Sequence, residues 1–199
     1  MFGLKLACCA IFLNGLIYSA QTNAQRLTIL LRFEHPGSAV ATEAMENEVR
    51  FLLGKNTSVR FGTDTDAVQE TSGKLVIVRM RGYCSMSRSV ERQPPGLALG
   101  STFVSDGTVL PFGQVECDRI RASLQRLSYS LPQESEQQLG QAMGRVLLHE
   151  LYHMLSRTMT HTTYGLTKPS LSAFELSATG ADLPRDSKVA MDMVGGSSR

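Results

Sequence analysis

Residues 132–157 read PQESEQQLGQAMGRVLLHELYHMLSR, and their pattern predicts one long amphipathic helix. Pro132 suits the first helical position, where its missing N–H costs nothing, and Glu134 and Glu136 favour the positive end of the helix dipole. Leu139, Met143, Val146, Leu147 and Leu151 then recur at helical spacing. Near the C-terminal end stands His149-Glu150-Leu151-Tyr152-His153. At 3.6 residues per turn, positions 149 and 153 lie about 40° apart on one face, so both imidazoles can reach one ion, a geometry that suits zinc. Glu150 lies about 60° round from His153, close enough to touch a metal-bound water without being a ligand.

Laid out on a helical wheel, Leu139, Met143, Val146, Leu147, Leu148, Leu151, Met154 and Leu155 form a broad apolar arc, and Glu150 falls inside it. A buried carboxylate without a partner costs several kcal/mol or more, so a metal, its water or a buried cation is expected beside it. Reading the five residues as an accidental match leaves Glu150 without a reason to be there.

Working outward, Arg26–Phe33 is apolar, rich in strand-favouring residues and stopped by Pro36-Gly37, which predicts a first, central strand. Ser38–Leu53 carries Val40, Ala44, Val49, Leu52 and Leu53 at helical spacing and ends at Gly54. Lys74–Tyr83 is a second predicted strand. Leu97–Val104 and Val109–Val115 flank Asp106-Gly107, a strong hairpin signal, and polar Ser85–Gly96 with Pro94-Pro95-Gly96 reads as a loop. After the long helix comes an irregular segment to Pro169, a short helix over Ser170–Ala178 and a polar tail.

The 199 residues suit one folded domain, and a formal charge of +2 gives no sign of nucleic acid as a partner. Met1–Lys5 carries one positive charge, Leu6–Tyr18 is nearly all apolar, and small residues follow at Ser19, Ala20 and Ala24. That is the pattern of a secretory signal peptide over residues 1–24. The apolar run is shorter than the roughly 20 residues that span a bilayer, so no stable membrane insertion is expected after cleavage, and the destination is secreted or periplasmic. Cleavage would remove Cys8 and Cys9 and leave Cys84 and Cys117, which read as one disulfide in an exported protein or else as two separate buried thiols.

The H-E-x-x-H on a helix resembles the zincin superfamily of metallopeptidases, in which this helix supplies two zinc ligands and a base. The resemblance implies an α+β, zincin-like catalytic domain over residues 25–180, with residues 181–199 as tail. Its parts would be a mixed sheet of about four to five strands, a first helix, the long active-site helix and an irregular C-terminal subdomain. It also implies a third ligand downstream, for which His161 and Glu175 are the candidates.

In element order the chain is similar to metzincins, whose third histidine follows in H-E-x-x-H-x-x-G-x-x-H. Here Ser156 stands at the place of the turn glycine, and His161 falls two residues beyond the pattern. Over Arg157-Thr158-Met159-Thr160-His161-Thr162-Thr163-Tyr164-Gly165 it is similar to the aspzincin segment G-T-x-x-D-x-x-Y-G. Histidine replaces the ligand aspartate, the leading glycine is missing, and Thr158, Tyr164 and Gly165 match. Both partial matches select His161, whereas a gluzincin-like arrangement would use Glu175. Glu175, Asp182 or Asp118 could instead orient a ligand histidine. Tyr164 resembles the aspzincin tyrosine that helps hold the oxyanion. Met191 and Met193 lie where metzincins place a methionine turn.

The resemblance therefore implies a zinc metallopeptidase with one zinc ion on His149, His153 and His161, Glu150 as general base and a peptide or protein as substrate. The substrate is expected to lie extended along a strand of the Leu97–Val115 hairpin. The alternative is a secreted zinc-binding module without catalysis. Glu150 speaks against it, because a structural site gains nothing from a base next to a ligand.

Overall fold

Strand β1, Gln25–Phe33, alternates so that Leu27, Ile29 and Leu31 are buried on one face, and it is hydrogen-bonded on both sides. In this computed structural model, which describes residues 25–62, 73–87, 93–94, 96–125 and 132–178, β2 (Thr57–Gly62) and β3 (Lys74–Arg81) run parallel to β1 on its two sides. Strand β5 (Thr108–Glu116) pairs parallel to β3, and β4 (Gly100–Ser105) pairs antiparallel to β5. The result is a mixed five-stranded sheet in the order β2-β1-β3-β5-β4. The fold is α+β, and β4 is an edge strand. Residues 1–24, expected from the sequence to be a signal peptide, together with Asp182, Met191, Met193 and the expected tail, lie outside the described residues.

The hairpin turn is the one its sequence demands. Asp106 and Gly107 have φ of 49° and 73°, the left-handed pair that lets two strands close through two residues without losing their twist. The predicted strand at Leu97 begins three residues later, at Gly100. Leu97–Leu99 leave the ladder to wall a cleft, held by Glu116 N–H on Leu99 O at 2.8 Å and Arg119 Nη1 on Ala98 O at 2.7 Å. Strand β3 stops at Arg81, before the predicted end at Tyr83, because Gly82 turns the chain with φ of 71°.

Among the described residues there are four α-helices: α1 (Ala39–Leu53), α2 (Cys117–Gln125) and α3 (Pro132–Ser156) pack with the sheet, and α4 (Ala173–Ser177) packs on α2 and α3. Ser38 caps α1 by accepting from Ala41 N–H, and Gly54 closes it. Met45, Val49 and Leu52 of α1 and Leu139, Met143, Leu147 and Leu151 of α3 form one core with Ile29, Val76, Val78, Met80 and Val115 of the sheet. Neither β2 nor α2 is anticipated by the sequence pattern. The first is a short, half-exposed edge strand, and α2 follows β5 directly with four polar residues among its first seven. Among the described residues no helix is long and apolar enough to cross a membrane.

Cys84 and Cys117 are joined, with Cα atoms 5.0 Å apart. The disulfide ties the segment after β3 to the start of α2, so the reading as two separate thiols is set aside.

Helix α3 approaches α1 through Gly140 and Gly144. A Cβ at Gly140 would overlap the Ala41 carbonyl and the Ala44 methyl, and one at Gly144 would lie 2.9 Å from Met45 O and from Glu48 Cβ. Two of these neighbours are backbone carbonyl oxygens and two are Cβ atoms fixed to the backbone, so none can move aside singly. Gly140→Ala gains about 1 kcal/mol of helix propensity but forces the helices apart at roughly 1–3 kcal/mol. The net expectation is a lower unfolding midpoint in urea with an unchanged slope; a higher midpoint would show that the helices are free to separate.

Candidate metal and active site

The last turns of α3 carry His149, Glu150 and His153, and the chain reverses immediately after them. Arg157 takes the left-handed conformation, φ 51°, that a glycine would ordinarily supply. Thr158 N–H closes the helix on His153 O at 3.2 Å, the six-to-one bond of a Schellman cap. This turn carries His161 back onto the two helix histidines. The ring centroids of His161 stand 5.2 Å from His149 and 4.7 Å from His153. One nitrogen from each of the three rings lies within 4.8 Å of the others.

Each helix histidine is fixed by a backbone carbonyl. His149 Nδ1 lies 2.8 Å from Leu166 O, and His153 Nδ1 lies 2.8 Å from Thr158 O. A carbonyl only accepts, so each Nδ1 carries the proton and donates, which leaves both Nε2 atoms with bare lone pairs. Those two Nε2 atoms are 3.1 Å apart. Two lone pairs facing at that distance repel unless a cation lies between them, so the donor set fits a metal ion. Three imidazole nitrogens suit a borderline transition-metal ion rather than magnesium or calcium. Glu175, Asp182 or Asp118 could have oriented these histidines; the Nδ1 atoms of His149 and His153 are instead met by carbonyls of the returning loop. The loop is itself tied down, with Thr162 N–H on Thr167 O at 3.1 Å and the two threonine hydroxyls 2.6 Å apart.

Burial disfavours the imidazolium of both helix histidines. It pushes His149 down to about 4, against the Leu166 hydrogen bond, and lowers His153 as well. Glu150 is 4% exposed, and burial pushes its carboxyl up to about 7, opposed by a hydrogen bond from Thr102. That hydroxyl donates to Oε2 at 2.7 Å. A group near pH 7 is poised to accept and return protons at neutral pH.

A cleft of about 450 Å³ opens beside this constellation. Leu97, Leu99, Val146 and Leu171 give it apolar walls, and Gly100, His149 and Glu150 border it. Comparison with protein-family models, curated proteins and solved structures returns no match.

The remaining sequence candidates fall elsewhere. Glu175 caps its own helix: its carboxylate accepts from Ser172 N–H and Oγ and pairs with Lys168 at 2.6 Å. Its carboxylate is thus engaged away from the three-histidine cluster, which is built without it. Asp118 accepts from Tyr83 N–H and pairs with Arg121 at 2.7 Å. Tyr164 is 74% exposed, and its carbonyl accepts from Thr162 Oγ1. Sequence reasoning overlooks Gly100, Thr102 and the two loop carbonyls. The one available signal was a glycine within a predicted strand, which often marks a close approach.

The histidines and Glu150 pull metal-free stability in opposite directions with pH. Lowered histidine values mean that the unfolded chain binds more protons, so this contribution is present above about 6.5 and is lost as pH falls towards 4. The raised Glu150 value gives stability below its ordinary 4.5 that is lost as pH rises through 7. In metal-free Glu150→Gln, where the second effect is gone, the thermal midpoint is expected to drop more steeply between pH 6.5 and 4 than in His149→Gln/Glu150→Gln. Equal slopes would show that His149 is not desolvated.

Proposed function

We propose that the chain is an exported zinc metallopeptidase of the zincin type, with His149, His153 and His161 as the zinc ligands and Glu150 as general base. The observation that carries the reading is the buried Glu150 carboxylate, on the same helical turn as two histidines whose Nε2 atoms converge, bordering a cleft under an edge strand. Zinc bound there would supply Lewis acidity and lower the pKa of a bound water towards 7.

The rest of the work belongs to the chain. Glu150 takes a proton from the attacking water and returns it to the nitrogen of the leaving amine. Leu166 O and Thr158 O hold the histidine tautomers that keep Nε2 free. An extended peptide adds to the free edge of β4 through backbone hydrogen bonds, and the apolar cleft walls favour a hydrophobic side chain beside the scissile bond. Tyr164, if it turns inward when substrate binds, would donate its phenol to the developing negative charge.

The test is bound zinc in the mature wild type, His161→Ala and Glu175→Ala, together with cleavage of a mixed peptide library. Zinc near one per chain that falls in His161→Ala but not in Glu175→Ala, with cleavage present, is the expected result. Full zinc without cleavage would favour a secreted zinc-binding module, and a wild type free of zinc would overturn the proposal.

A further inference from the structure

Two residues of β4 shape the surroundings of the Glu150 carboxylate, from opposite sides. Thr102 Oγ1 lies 2.7 Å from Oε2, with Glu150's own carbonyl oxygen as a second acceptor at 3.3 Å. The shorter distance and the charge on the carboxylate direct the hydroxyl proton to Oε2. On the other side, a Cβ at Gly100 would sit 2.7 Å from Oε1 and 3.0 Å from both Glu150 Cγ and the Gln114 carbonyl oxygen of β5. Gly100 is outside the left-handed region that requires glycine, so what sets it apart from alanine is the space it leaves, most tightly for the Glu150 carboxylate and next for the Gln114 carbonyl. Gly100, Glu150 and His149 share the border of the cleft.

We propose that Thr102 and Gly100 are the positioning residues of Glu150: the Thr102 hydroxyl ties down Oε2, while the bare Cα of Gly100 keeps Oε1 open to the cleft, so that Oε1 exchanges the proton. In the catalytic step a water O–H bond breaks as Oε1–H forms and the water oxygen bonds to the scissile carbonyl carbon; Oε1–H then breaks as the nitrogen gains the proton and the C–N bond is cleaved, giving a carboxylic acid and an amine. The charge returns to the carboxylate at the end. A consequence follows for register: the strand that would carry the substrate also holds the base, so a peptide paired on β4 is aligned with Oε1 by the same backbone. This inference rests on Glu150 being the base.

Thr102→Val preserves shape and removes the hydroxyl, and Thr102→Ser restores it. One readout needs neither metal nor substrate. In the metal-free protein at pH 9, the 13Cδ shift of Glu150, assigned through its disappearance in Glu150→Gln, should move in Thr102→Val and return in Thr102→Ser. The second readout is steady-state hydrolysis by the zinc-loaded protein. There kcat should fall roughly 10- to 100-fold in Thr102→Val with KM within about twofold and zinc content unchanged, and Thr102→Ser should recover most of it. Gly100→Ala should lower kcat in the same way.

A 13Cδ shift that stays put in Thr102→Val overturns the positioning role whatever the activity. So does a kcat within about twofold of wild type, or a loss that follows zinc content. If wild type and Glu150→Gln prove equally inactive, the peptidase reading fails on its own. The Thr102 contact is then still decided by the shift, while the assignment of Oε1 as the proton-exchanging atom falls with the base.

Discussion

Glu150→Gln is expected to reduce kcat by roughly 10²- to 10⁴-fold, the usual worth of a general base, while leaving zinc at about one per chain. The amide has the shape of the carboxylate, and its oxygen can still accept from Thr102 Oγ1, which lies 2.7 Å from Oε2. What disappears is the capacity to take a proton. Folding should not suffer, because the carboxylate is 4% exposed and burial already raises its pKa to about 7. Removing a charge that the interior disfavours leaves stability equal or higher at pH 8. The experiment measures kcat, zinc content and the thermal midpoint on one preparation. Full activity in the variant would end the role of Glu150 as base, and loss of zinc together with activity would place Glu150 among the groups that hold the metal.

Arg145→Met should have the largest effect on stability. Arg145 is fully buried, and its guanidinium joins three elements. Nε donates to Glu48 Oε1 of α1 at 2.8 Å, Nη1 to Glu175 O at 2.8 Å and Leu176 O at 3.0 Å, and Nη2 to Ala178 O at 2.5 Å. Truncation leaves the Glu48 carboxylate buried without its cation and the carbonyls at the end of α4 without this donor. Breaking one side of such a pair costs about 3–5 kcal/mol, or roughly 6–20 °C in thermal midpoint for a domain of this size.

The carbonyls that Arg145 holds, at Glu175, Leu176 and Ala178, come just after Leu171 and Ala173 of the cleft wall and downstream of the Leu166 carbonyl that meets His149. Zinc affinity should therefore fall as well. Replacing both partners, as Glu48→Leu/Arg145→Met, should recover much of the stability, because an apolar pair carries no unpaired charge. A single variant within a few degrees of wild type would mean that water reaches Glu48.

The pairing of His149 with His153, and the buried Glu150 beside them, were legible because a helix is a local structure. Their mutual placement follows from a spacing of four residues and from the apolar arc around Glu150. The hairpin turn at Asp106-Gly107, the stop at Gly54 and the Cys84–Cys117 pairing were legible for similar reasons, since each rests on a few side chains with strong conformational or chemical preferences. The sequence by itself therefore determined the α+β order of the main elements and the core of the site.

Only the tertiary structure decided the rest. His161 reaches the cluster because Arg157 adopts a left-handed turn that no glycine announces. Leu166 O, a backbone atom seventeen residues from His149, meets its Nδ1, a role that a carboxylate could also have filled, while Glu175 spends its own carboxylate on Ser172 and Lys168. Thr102, forty-eight residues from Glu150, meets it because β4 is the antiparallel edge strand lying against α3. Strand β2 forms because β1 offers it a free parallel edge. Hydrogen bonds across such separations depend on how layers stack and which strand becomes the edge, and that is settled by burial over the whole core rather than by any local run of residues.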